Sequence, residues 1–110
     1  MINKINEILK KYNTNNPYDI IEKDDIILIL HPLKNVNGFY QYVLDQHIIY
    51  INEALDNNKK NFVLAHELGH LFLHEKVNRY NCSDIEIKQI ENEADLFANS
   101  LLNYKPIKSD

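Results

Sequence analysis

Residues 62–73 read Phe62-Val63-Leu64-Ala65-His66-Glu67-Leu68-Gly69-His70-Leu71-Phe72-Leu73. The run is apolar except at His66, Glu67 and His70, and those three spell H-E-x-x-H. On a helix, positions i and i+4 lie one turn apart on the same face. Two imidazoles placed there can share one tetrahedral zinc ion, and the glutamate between them can reach a metal-bound water. The helical pattern runs from about Asn57 to Glu75 and is apolar on most sides. A helix of that kind is central and buried. Five residues also arise by chance, and the bland reading is three polar residues on a buried helix. The rest of the chain has to separate the two.

A chain of 110 residues has room for one domain around one core. Its 45% hydrophobic and 25% charged residues suit a soluble globular protein. With 12 basic against 16 acidic residues the net charge is −4, so the basic face of a nucleic-acid binder is not expected. The basic doublets Lys10-Lys11 and Lys59-Lys60 read as solvated helix positions. Cys82 is the single cysteine, which excludes an intrachain disulfide framework and fits a reducing compartment. The N-terminal residues lack the apolar core of a signal peptide. No stretch reaches the ~20 apolar residues of a membrane span. A cytoplasmic protein, with neither membrane nor nucleic acid as a direct partner, is the expectation.

Ile2, Ile5, Leu9 and Tyr12 repeat at helical spacing. Asn16-Pro17 looks like an N-cap followed by proline at the first helical position, opening a short helix through about Glu22. Ile26–Leu30 is a β-branched run that reads as a buried strand, ended by His31-Pro32. Gly38–Leu44 and His47–Asn52 are two more strands around a turn at Asp45-Gln46. Ser83-x-x-Glu86 is a capping-box signature and starts a long helix. That helix carries Ile87, Ile90, Ala94, Phe97, Ala98 and Leu101 on one face, with Pro106 past its end. The sum is a small α+β domain, with a short, mainly antiparallel sheet packed on helices.

Two histidines make a weak zinc site, because a catalytic zinc normally has three protein ligands and an open position. The last helix offers Glu91-Asn92-Glu93-Ala94-Asp95. Glu91 and Asp95 share a face. Glu91 can bind the metal while Asp95 accepts the ring N–H of a liganding histidine, which fixes its tautomer. Glu93 flanks the apolar face at a similar angle, so helical geometry leaves both glutamates open; the Asp95 partnership favours Glu91. A metzincin would need His and Gly where this chain has Lys76 and Leu73. His74 lies one more turn along the helix, either facing a substrate or capping the helix end. His31, His47 and Cys82 read as structural or exposed.

His66–His74 (H-E-L-G-H-L-F-L-H), Glu91–Ala98 (E-N-E-A-D-L-F-A) and Leu101-Leu102 together resemble the ImmA/IrrE family of zinc metallopeptidases. Gly38-Phe39-Tyr40 and Ile48–Asn52 stand at a matching distance upstream, so the resemblance covers about residues 17–102 of a single domain, 1–110. It implies one zinc ion per chain held by His66, His70 and Glu91, with Asp95 behind a ligand and Glu67 as general base. A second electrophile is expected from His74, Tyr40, Tyr42, Tyr50 or Tyr80, although strand tyrosines are also simply good β-formers. The peptide substrate is expected along an edge strand, with Gly38–Leu44 the candidate. The family cleaves helix-turn-helix repressors of phages and mobile elements, which implies such a repressor as protein substrate. The chain is expected to lack the fused helix-turn-helix region of some relatives and the C-terminal extension of longer ones. An alternative is a metal-bound anti-repressor or toxin–antitoxin protein that grips a partner without cutting it; an intact Glu67 argues against this. A metal-stabilised structural domain, with His74 closing the fourth position, is a third reading.

Overall fold

The computed structural model describes residues 1–104. Its elements are α1 (Ile2–Tyr12), α2 (Pro17–Lys23), β1 (Ile27–His31), β2 (Gly38–Val43), β3 (Gln46–Asn52), α3 (Asn57–His74), a 3₁₀ turn at Arg79–Asn81 and α4 (Asp84–Leu102). The α+β class holds. Pro106 lies outside the described residues.

Local signals place the helix starts. The Asn16 side chain accepts the Tyr18 N–H at 2.9 Å with Pro17 at the first position of α2. Asp56 accepts the Lys59 N–H at 2.8 Å and opens α3. Ser83 and Glu86 exchange both bonds of the capping box at 3.2 Å and open α4. Each such cap satisfies N–H groups that a helix end leaves without partners. On α1 the buried stripe is Ile5, Ile8 and Tyr12, while Ile2 is exposed.

The sheet has the order β1-β3-β2. β3 pairs antiparallel with β2 and parallel with β1, so the sheet is mixed where a mainly antiparallel one was expected. The return strand of the hairpin lies between the other two and runs in the direction of β1. This makes β1 an edge strand rather than a buried one. Ile27 and Leu30 are exposed, and Ile26, just before the strand, is the buried residue of the run. The hairpin turn is Leu44-Asp45, one residue earlier than the sequence suggests, since Val43 pairs with Gln46. Both turn residues have positive φ, 50° and 62°. That is the type I′ conformation, which normally calls on Asn or Gly. Leu44 adopts it while 91% exposed.

Across the hairpin, Gly38, Tyr40 and Tyr42 stand opposite Ile51, Ile49 and His47, and Ile49 and Ile51 are fully buried against the helices. Phe39 and Tyr50 pair on the other face and stack at 4.3 Å. Two glycines set the spacing of the layers. A Cβ on Gly38 would fall 2.7 Å from the Tyr50 carbonyl oxygen and 2.9 Å from Val63 Cγ1, so only glycine lets β2 settle onto α3. A Cβ on Gly69 would lie 3.1 Å from Phe97 Cδ1 and 3.2 Å from Ala94 Cα. Gly69 thus brings α4 close against α3, beside both histidines. Gly69→Val is expected to destabilise the fold by roughly 1–3 kcal/mol, as overpacking does, and to weaken metal binding. A denaturant melt and a metal titration check this. Wild-type values in both would show that helix spacing is not set at Gly69.

Candidate metal centre

Helix α3 presents His66, Glu67, His70 and His74 in successive turns, and α4 crosses it with Glu91, Glu93 and Asp95. His66 Nε2 and His70 Nε2 approach to 3.2 Å. The Glu91 carboxylate closes the triangle, with Oε2 at 3.1 Å from His66 Nε2 and Oε1 at 3.0 Å from His70 Nε2. Donors about 2.0–2.1 Å from a tetrahedral zinc stand roughly 3.3 Å apart, so the three groups are spaced as such a centre requires. Among the described residues they form the one cluster able to hold a metal.

The protons point the same way. His66 Nδ1 lies 2.7 Å from Asp95 Oδ1 and donates to it. In the neutral ring that leaves Nε2 as a lone pair facing a carboxylate oxygen. Two acceptors in contact repel unless a cation lies between them. Burial pushes the His70 imidazole down, against the pull of Glu91, and keeps it in the neutral form that binds metal. Burial would raise the Glu91 carboxyl, but its neighbours (His70 and His66 whenever they carry a second proton, and the Arg79 hydrogen bond) outweigh it and hold it below its ordinary range. The donor set therefore fits a divalent cation.

Glu67 points into the same cavity and is 7% exposed. Burial raises its carboxyl to about 7; His66 and Arg79 oppose that rise and Glu91 adds to it. The structure puts Glu93 elsewhere, its Oε1 3.5 Å from His74 Nε2. Of the tyrosines, Tyr40, Tyr42 and Tyr80 line the cavity. The Tyr40 hydroxyl is bonded to His47 Nδ1 at 2.7 Å. Burial, with Glu75 and Tyr42 near, pushes that phenol up to about 12, so it stays protonated. The Tyr42 hydroxyl donates to Asp45 at 3.2 Å. Tyr50 is not brought to the site; strand alternation puts it on the far face with Phe39.

Sequence reasoning missed Arg79. It sits on the 3₁₀ turn, lines the cavity and donates from Nη1 to Glu91 Oε1 at 2.8 Å. The available signal was that it is the only arginine in the chain, 12 residues before a candidate ligand.

Residues 21–109 match the family model described as the IrrE N-terminal-like domain, a peptidase family. The chain is 38% identical to Metallopeptidase ImmA of Bacillus subtilis (strain 168) over 104 residues, covering 90% of this chain and 60% of that protein. It is 34% identical to an uncharacterized immunity region protein 2 of Bacillus phage phi105 over 102 residues, covering 89% of this chain and 65% of the phage protein. The chain thus spans somewhat under two thirds of the length of each of these relatives.

Proposed function

This chain belongs to the peptidase family of the IrrE N-terminal-like domain, and from that premise we propose that it is a zinc-dependent endopeptidase that cuts a helix-turn-helix repressor of a phage or mobile element. The observation that carries the reading is the convergence of His66 Nε2, His70 Nε2 and the Glu91 carboxylate beside a buried Glu67. Two imidazoles and one carboxylate are the ligand set of many zinc hydrolases. Similarity to a phage immunity region protein supports a substrate in phage immunity. The work is assigned to a single domain in the cytoplasm with a core of about residues 17–102; no described helix is long and apolar enough to cross a membrane.

His66, His70 and Glu91 would hold the zinc, which when bound would supply a Lewis acid and would lower the pKa of a water from 15.7 to roughly 7. Glu67 takes a proton from the attacking water and later passes one to the leaving amine. Its burial makes it a stronger base than an exposed carboxylate. Asp95 holds His66 with its Nε2 turned to the site. Among the described residues, strand β2 pairs along one edge only, with β3, and its residues 38–42 line the cavity. Its other edge can pair with an extended peptide, laying the scissile bond across the site.

The test is to incubate the chain with zinc and a helix-turn-helix repressor, taken from the neighbouring reading frame where one encodes it, with and without a chelator, and to read the products by mass spectrometry. Discrete fragments that vanish with chelator are expected. A bound but uncut repressor under both conditions would replace cleavage by simple capture.

A further inference from the structure

We propose that His74 is a positioning residue, which with Glu93 behind it sets the ring nitrogen that His70 presents to the metal. The inference rests on reading His66, His70 and Glu91 as the metal site. His66 has a carboxylate behind it, whereas His70 has another histidine. His70 Nδ1 lies 3.1 Å from His74 Nδ1, on the side of the ring away from His66 and Glu91. One proton must lie between these nitrogens, and its owner decides the chemistry. If His70 donates, its Nε2 carries the lone pair toward Glu91. If His74 donates, neutral His70 carries a proton on Nε2 and cannot ligate.

Glu93 decides between them. His74 Nε2 is buried without a hydrogen-bond partner, and the carboxylate near it is Glu93, at 3.5 Å. A protonated Nε2 facing that carboxylate is attracted; a lone pair there is repelled. The favoured His74 therefore has its proton on Nε2 and accepts at Nδ1, and His70 must then donate from Nδ1. The His74 side chain is 8% exposed, so water is poorly placed to take over either role. This position also argues against His74 as a fourth ligand, because its Nδ1 is turned to the rear of His70. The two carboxylates Asp95 and Glu93 thereby fix the two ligand rings, one directly and one through His74.

Two measurements on the full chain test this. The first is zinc affinity by chelator competition for the wild type, His74→Leu, His74→Asn and Glu91→Ala. His74→Leu is expected to weaken binding by roughly 10–100-fold, the usual effect of losing a ligand's outer partner. His74→Asn, whose Oδ1 can accept where Nδ1 did, should restore most of it. The second is long-range ¹H–¹⁵N correlation on the zinc-loaded wild type, which needs no variant to fold. It should find His70 protonated at Nδ1 and His74 at Nε2. Wild-type zinc affinity in His74→Leu, no recovery in a folded His74→Asn, or a His74 proton on Nδ1 would each overturn the inference. If the wild type bound no zinc, or Glu91→Ala bound it undiminished, the metal site itself would be wrong. Loss in Glu91→Ala without loss in His74→Leu would refute the positioning role alone.

Discussion

Glu67→Gln will bind zinc as the wild type does and lose cleavage by roughly 10²–10⁴-fold, the usual worth of a placed general base. The substitution keeps the size and shape of the side chain at a residue that is 7% exposed, so neither cavity nor overpacking follows. Glu67 is not among the three groups that converge on the metal position, so metal content should stay at one ion per chain. On the proposed mechanism, what disappears is the acceptor for the proton of the attacking water. Metal analysis and repressor cleavage on the same preparation separate the two effects. Undiminished proteolysis would remove Glu67 as the base. A variant that still relieves repression without cutting would show that the chain works by binding.

Glu91→Ala will lose zinc affinity by more than about 10²-fold, beyond the 10–100-fold typical of an outer partner. Its carboxylate is the one oxygen donor of the cluster and lies 3.0–3.1 Å from both ring nitrogens. Removing it leaves two histidines, the weak site of the sequence motif alone, and leaves Arg79 beside them without the carboxylate it pairs with. Glu93→Ala should fall far less, since that carboxylate faces His74. Chelator competition on both variants gives the comparison. Equal losses would mean that α4 is turned differently against α3 in solution.

Much of this centre was legible because it is local. Apolar residues around His66 and His70 require a buried helix, and the Ser83-x-x-Glu86 box fixes where α4 begins. Once both helices are placed, Asp95 and one of two glutamates must face the histidines. Which glutamate does so depends on the rotation of α4 about its axis. That is set by the close fit of Gly69 against Ala94 and Phe97, a long-range contact that helical periodicity does not encode. Arg79 was illegible for a related reason: its place comes from a 3₁₀ turn between two helices. The sheet was partly legible. Alternation and β-branching find the strands, but hydrophobicity does not state which edge a strand joins, so the sequence makes β1 look buried and the pairing mainly antiparallel. The hairpin turn was displaced by one residue because leucine seldom takes positive φ, and Leu44 does.

X-ray diffraction recorded above and below the zinc absorption edge, on crystals of the zinc-loaded chain, tests the centre most directly. One anomalous peak per chain is expected, bonded to Nε2 of His66, Nε2 of His70 and the Glu91 carboxylate, with Glu67 beside the open position. A peak bonded to Glu93 or His74 in place of Glu91, or no peak between the two histidines, would contradict it.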